Sequence, residues 1–389
     1  MATMQESALS YLDSCREEML RLWETIVRLE TPSTDAAAVS RLASHLDTYC
    51  DALGMMTEKF QPQGAGLCLA ARTPSASLPP VLLLGHLDTV HPAGSFPGGP
   101  WRVEGDTVCG PGVHDCKGGL VIALYVIRAL LHAGYDRRQL RLVLLSDEET
   151  AHTLSQRQTV DFLQRQAMGC GAAFTVESGL PDGQIITARK GGGILPLRVQ
   201  GIASHAGTAP EKGASAVLEA ARKIVAIHAL SDPAHVTYNC GIIHGGTSAN
   251  VVPDRCEVSV AIRFRTNQDH RQAMDALHEI CGRVETPGTS CTLGPLVGFP
   301  AMEELPRTAT LAKIYQDASE TLGLGRPGTA YSAGCSDSAY TASMGIPTLC
   351  AVGVLGEGQH SPHEHADLSS LLPQAKRLAN AILSLPDDF

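Results

Sequence analysis

Between residues 65 and 178, short apolar runs alternate with helix-patterned segments, and the runs lead into histidine or carboxylate side chains. The strand-like runs are Leu67–Ala71, Val81–Leu84, Leu140–Leu145 and Ala172–Val176. A helix pattern starts near Lys117 and continues through Ala123, Val126, Ile127 and Leu130. Alternation of this kind restricts the chain to a largely parallel or mixed sheet with helices on both faces. Strands of such sheets deliver functional residues at their carboxyl ends, into one crevice. His86 ends the second run, Glu148 and Glu149 close the third, and Glu177 closes the fourth. Asp115 lies in a glycine-rich turn before the helix, and His360 lies in the loop Gly356-Glu-Gly-Gln-His-Ser-Pro-His-Glu364. Two histidines and three carboxylates gathered in one crevice would form a site for two zinc ions, with a further carboxylate left as base.

The texture changes at Lys190-Gly-Gly-Gly193. From there the pattern reads strand Ile194–Val199, helix Ala214–Leu230, strands Val236–Ile243 and Glu257–Arg263, helix Arg271–Val284, and a strand near Thr292. That order is the split β-α-β pattern of a ferredoxin-like domain. After about residue 300 the first texture returns, with a helix at Thr308–Leu322, a strand at Thr348–Val352 and a helix at Leu371–Leu385. The first 45 residues read as helix. The expected fold is therefore an α/β catalytic sandwich built from residues 1–188 and 300–389, with an α+β domain inserted at 189–299. At 389 residues the chain exceeds what one hydrophobic core usually serves.

A net charge of −10 argues against nucleic acid or an anionic membrane as partner. The longest apolar run, Gly119 to Leu131, is broken by Arg128 and is too short to span a bilayer. The N-terminus carries neither a basic stretch nor an apolar core, so no secretory signal is read there. Twelve cysteines without a C-x-x-C pair fit reduced core residues of a cytoplasmic protein. The sequence has no nucleophile elbow, zincin helix motif or phosphate-binding P-loop, and no G-x-G-x-x-G after a strand.

In His86-Leu87-Asp88 the two polar side chains point the same way along an extended segment. Asp88 would then either orient the imidazole of a metal-bound His86 or satisfy turn amides. Asp115 reads as a metal bridge or as a helix cap. Adjacent Glu148 and Glu149 repel one another unless cations are near; the alternative is a solvated turn. The loop cluster His360, His363, Glu364 and His365 holds either one functional histidine or a separate surface metal site.

Four segments resemble the dinuclear-zinc metallopeptidase family of glutamate carboxypeptidase, acetylornithine deacetylase, succinyl-diaminopimelate desuccinylase and aminoacylase. They are Gly85-His-Leu-Asp-Thr-Val90, Gly112-Val-His-Asp-Cys-Lys-Gly-Gly119, Ser146-Asp-Glu-Glu-Thr150 and Ser204-His-Ala-Gly207. The resemblance implies His86, Asp115 and Glu177 on one zinc, and Asp115, Glu149 and His360 on the other, with cobalt or manganese as alternative ions. It implies Glu148 as general base and Asp88 as the partner of His86. It further implies a homodimer formed through the inserted lid, in which His205 reaches the neighbouring active site and stabilises the oxyanion. Asn250, in Gly245-Gly-Thr-Ser-Ala-Asn-Val-Val-Pro253, and Arg263 resemble the pair that grips a substrate carboxylate. Arg265 competes with Arg263 for that role.

Further segments, among them Ser336-Asp-Ser-Ala-Tyr340, are most similar to bacterial folate-type glutamate carboxypeptidases. Glutamate-specific members carry a basic residue just before a Pro-Ala pair, where this chain has Phe299. That departure leaves glutamate selectivity open and admits an apolar side chain. The expected activity is zinc-dependent hydrolysis of an amide beside a free carboxylate, on a peptide or an N-acyl amino acid. The stretch Lys190-Gly-Gly-Gly193 is expected to form the hinge of a closing lid.

Overall fold

A computed structural model describes residues 3–389, and the chain forms two compact units. One comprises Met1–Ala188, Glu304–Tyr331 and Ser336–Phe389; the other comprises Arg189–Glu303 and Ser332–Cys335.

The first unit is built on an eight-stranded sheet in the order Met56–Phe60, Cys68–Arg72, Arg138–Leu145, Leu78–His86, Ala172–Thr175, Thr348–Cys350, Ile185–Arg189 and Thr329–Ser332. The four strands from Arg138–Leu145 to Thr348–Cys350 are mutually parallel. Cys68–Arg72 and Ile185–Arg189 flank them antiparallel. Val81–Leu84 is apolar at every position because a central parallel strand is covered on both faces. Parallel strands end at the same edge of a sheet, so the residues following His86, Leu145 and Thr175 meet there.

The helix Gly118–His132 is buried around its whole first three turns, which matches its unbroken apolar sequence. A Cβ at Gly119 would lie 1.8 Å from the Val176 carbonyl oxygen, so only glycine lets the helix start close against the strand that leads to Glu177. The N-terminal region is three helices, Met4–Ser14, Arg16–Arg28 and Ala36–Ala52, where the sequence pattern suggested one continuous stretch. Local chemistry sets its bounds: a Thr3–Glu6 capping box starts the first helix, the chain breaks at Cys15, and the segment around Pro32 breaks it again before Asp35 caps the third helix. The Trp23 indole N–H donates to the Val113 carbonyl at 3.1 Å, tying the second helix to the turn that holds Asp115. A small antiparallel sheet of Gly356–Glu357, His365–Asp367, Thr107–Cys109 and Arg102–Glu104 supports the loop bearing His360.

The second unit has the strand order Val236–Gly245, Arg255–Phe264, Gly191–Gln200, Ser290–Leu293, all antiparallel, with Val297–Phe299 also pairing Gly191–Gln200. With helices Ala216–His228 and Asn267–Gly282 this is the ferredoxin-like arrangement. Val258, Val260, Ile262 and Phe264 alternate inward against Leu195, Leu197 and Val199 to form its core. Glycines 191–193 open the strand Gly191–Gln200, with Gly192 and Gly193 paired on both sides. A Cβ at Gly191 would sit 2.1 Å from the Phe264 ring, and one at Gly193 would sit 2.1 Å from the Val297 carbonyl oxygen. These glycines serve close packing within the sheet. No helix among the described residues is long and apolar enough to cross a membrane.

Candidate metal centre

His86 is the last residue of its strand; Glu148 and Glu149 form one helical turn after Arg138–Leu145; Glu177 follows Ala172–Thr175. Asp115 lies in the tight turn Val113–Lys117 ahead of the buried helix, and His360 in the loop between Gly356–Glu357 and His365–Asp367. All six belong to the first unit, and their side chains converge.

Asp115 is the centre of the arrangement. Its Oδ1 lies 3.2 Å from His86 Nε2, and its Oδ2 lies 3.3 Å from His360 Nε2. His360 Nε2 is also 3.0 Å from Glu149 Oε2, and His86 Nε2 is 3.9 Å from Glu177 Oε2. Ligand atoms of His86, Asp115 and Glu149 all fall within 4.8 Å of one another, the one such group of three among the described residues. This set cuts across the two ligand triads implied by the family resemblance, and His360 and Glu177 extend it on either side.

Burial works to protonate Asp115, yet hydrogen bonds from His360 and His86 outweigh it and hold the carboxyl well below the usual range. Burial pushes Glu149 up to about 6, with the Asp115 charge adding and the His360 hydrogen bond opposing. Glu148 is pushed well above the usual carboxylate range by burial first, then by the charges of Asp337 and Glu177. Carboxylates crowded and buried in this way are stabilised by cations. Two imidazoles and three carboxylates are a donor set that zinc accepts, and Asp115 offers one oxygen to each histidine side. The residues fit a metal centre.

Asp88 has two tasks. His86 Nδ1 faces its backbone carbonyl at 3.0 Å and its Oδ1 at 3.5 Å. The same carboxylate accepts the Glu148 and Glu149 amides, both at 3.2 Å, and the Ser33 hydroxyl at 2.7 Å. It therefore orients the imidazole and also pins the turn that carries the two glutamates.

Glu364 is a residue whose role sequence reasoning missed. Buried to 1% exposure, it accepts the backbone amides of Gly112, His114 and Asp115, each at 3.0 Å, and contacts His91 Nε2 at 2.7 Å. A carboxylate bonded to three amides holds the Asp115 turn in shape. His363 faces solvent while Glu364 faces inward, so the alternative of a separate surface metal site in this loop is not what forms. Its sequence signal was a glutamate beside His360, with nothing to show that it points inward.

His205, Asn250 and Arg263 lie in the second unit. His205 is exposed on the short strand Ser204–His205, paired with Val251–Val252, and the Asn250 carbonyl accepts the Ala206 amide at 2.9 Å. The structure thus brings His205 and Asn250 together. His205 Nδ1 accepts the Gly207 and Thr208 amides, both at 3.1 Å, which leaves Nε2 as the protonated nitrogen and a donor. Arg263 lies across Gly192, where a Cβ would meet its Cδ at 2.5 Å. Phe299 pairs with Gly192 from the other side. Arg265, beyond the strand end, instead lines a surface cleft with Asp232, His235 and Asp269.

A family model described as peptidase family M20/M25/M40 matches residues 82–384. Carboxypeptidase G2 of Pseudomonas sp. (strain RS-16) is 26% identical over 376 residues, covering 94% of this chain and 89% of that protein. Acetylornithine deacetylase of Proteus mirabilis (strain HI4320) is 25% identical over 382 residues, 91% of each chain. An M20 family metallo-carboxypeptidase of Sulfolobus solfataricus shares the fold with a TM-score of 0.76 at 16% identity, covering 95% of this chain and 99% of that one. With the match spanning most of the sequence and a clustered metal-ligand set inside it, this chain belongs to peptidase family M20/M25/M40 and is a metal-dependent hydrolytic enzyme.

Proposed function

We propose that the enzyme hydrolyses an amide next to a free carboxylate, in the manner of a glutamate carboxypeptidase, with two zinc ions per subunit. The observation that carries this reading is Asp115, whose two oxygens face His86 and His360 at 3.2 and 3.3 Å. A carboxylate so placed would bridge two ions, with Glu177 completing one side and Glu149 the other. Bound zinc supplies Lewis-acid polarisation of the carbonyl and lowers the pKa of attacking water.

Glu148 is next to the ligand Glu149, buried, and raised in pKa, which suits a group that takes a proton and returns it to the leaving amine. Asp88 holds the tautomer of His86 and the direction of Glu148 together. His205, as an Nε2–H donor, is assigned to the oxyanion that forms on the carbonyl oxygen. Asn250 and Arg263 are assigned to the substrate carboxylate; the position of Arg263 over a glycine floor favours it over Arg265, which lies beside two aspartates. A homodimer through the second unit is part of the proposal, supported by the edge strand Val236–Gly245 with exposed Ile242 and Ile243. A cytoplasmic setting is also part of the proposal, on twelve cysteines without a C-x-x-C pair.

A second reading is an N-acyl-amino-acid deacylase. Phe299, across Gly192 from Arg263, supplies an apolar wall where a glutamate side chain would require a cation. A hydrolysis panel of dipeptides and N-acyl amino acids with varied C-terminal residues decides between them. Preference for dipeptides ending in glutamate supports the carboxypeptidase reading; preference for N-acetyl or N-succinyl amino acids supports the deacylase. An absence of amidase activity in metal-loaded protein refutes both.

A further inference from the structure

Behind Glu148 lies a buried imidazole that the chemistry above does not use. His152 is 0% exposed. Its Nε2 is 2.7 Å from Asp337 Oδ1, and its Nδ1 is 3.0 Å from Thr159 Oγ1 and 3.3 Å from Asp147 Oδ1. Asp147 immediately precedes Glu148, and its Oδ2 accepts the Ser155 amide at 2.9 Å. Asp337 immediately follows Ser336, whose hydroxyl donates to Glu177 Oε1 at 3.1 Å. One ring therefore joins the segment bearing the candidate base to the segment that contacts a candidate ligand on another strand.

Two observations suggest more than a satisfied core histidine. First, Ala151, His152, Gln156 and Arg157 have φ of 51°, 60°, 51° and 68°, left-handed values for residues with side chains. Such backbone persists only where its surroundings over-determine it, and it concentrates at functional sites. Second, Asp337 Oδ2 is buried without a hydrogen-bond partner among the described residues, and after burial its charge is the largest influence on Glu148. An unsatisfied buried carboxylate oxygen is costly and calls for a reason.

We propose that His152 is a positioning residue: bonded to Asp147 by one nitrogen and to Asp337 by the other, it fixes Glu148 relative to Glu177. The proposal rests on Glu148 being the base. His152 touches neither substrate nor reacting atoms; it acts through Asp337 and the Asp147–Glu148 turn.

The test compares full-length His152→Gln and His152→Asn, each in the wild-type and the Glu148→Gln background, on the best substrate of the hydrolysis panel. The glutamine amide reaches the place of Nε2 and keeps the Asp337 bond, whereas asparagine reaches only the place of Nδ1. His152→Asn is expected to lower kcat about 10- to 100-fold with KM within about twofold, and His152→Gln to retain most of the activity. Thermal stability is expected to order the other way, because asparagine accepts a left-handed backbone more readily than glutamine. In the Glu148→Gln background His152→Asn should cost no further activity.

Activity that follows the stability order, or an equal loss from His152→Asn in both backgrounds, overturns the positioning role while leaving Glu148 as base. Retention of most activity by Glu148→Gln alone removes the base assignment, and the positioning role with it.

Discussion

His86 and His360 face the same aspartate from opposite sides, yet the chain holds them in different ways. His86 closes a central strand, its side chain is 1% exposed, its amide and carbonyl lie against Cys116 Sγ, and Asp88 fixes its Nδ1. His360 sits in a hairpin loop at φ 61°, with its side chain 55% exposed. Its Nε2 contacts are Asp115 and Glu149 alone among the ion pairs of that ring. The fold itself orients the first histidine; charge orients the second. On the proposed two-ion reading, such a site has one preformed half and one half that completes itself around its ions.

The strongest way to break that comparison is to show that the buried side is not where the chemistry sits. Glu148→Gln should lower kcat about 10²- to 10⁴-fold while metal content by plasma emission stays at the wild-type value. Most of the activity surviving at full metal content would remove the base from the preformed half.

Next in size is a paired substitution. His86→Ala should cost roughly 2–4 kcal/mol in metal-free protein, because it empties a buried site and strips a partner from Asp88 and Asp115. His360→Ala should change metal-free stability by no more than about 0.5 kcal/mol, as an exposed substitution, and yet lose metal from one position. Denaturant titrations that give equal costs would erase the distinction between the two histidines.

Removal of metal sharpens it further. Dialysis against a chelator should empty the His360 side first, giving a half-loaded species before the metal-free one. Simultaneous loss of both ions would show the two halves to be one cooperative unit.

The smallest effect is a pH dependence of opposite sign in the two metal states. In metal-free protein the Asp115 and Glu149 hydrogen bonds raise His360 to about 10 against an ordinary 6.5. A folded pKa above the unfolded one stabilises fully below pH 6.5, and that contribution fades as pH rises through 10. Solvent exposure of the ring keeps it small. Metal binding needs the deprotonated ring, so the loaded protein should gain stability over the lower part of the same interval. Parallel pH slopes for the two forms would contradict this account.

Much of the architecture could be read from local sequence because it depends on local patterning. Continuous apolar runs marked the central strands, and a period switch marked the inserted unit. His86, Glu148, Glu149 and Glu177 were legible because each stands just past a run. Glu364 was not, since its partner amide at Asp115 lies 249 residues away in sequence and only folding supplies the link. The bond between His152 and Asp337 spans 185 residues and is hidden for the same reason. The close packing of glycines 191–193 was hidden because glycine allows both free rotation and close approach, and sequence does not say which is in use. The split of the first helical stretch was written in Pro32 and Asp35, whose breaking and capping chemistry was outweighed by the apolar periodicity around them.

If His360 holds an ion as proposed, its outward placement also sets how fast that ion comes and goes. A ligand on a surface hairpin can release and rebind by a loop motion of nanoseconds to microseconds, without any opening of the core behind it. An ion that depends on His360 is then exchangeable in the native protein, while one that depends on His86 leaves at a rate limited by deeper fluctuations. Under the proposed two-ion arrangement, a sample purified in one metal buffer and stored in another would become a mixed-metal enzyme, with the newer ion at the outer position and the older one retained within.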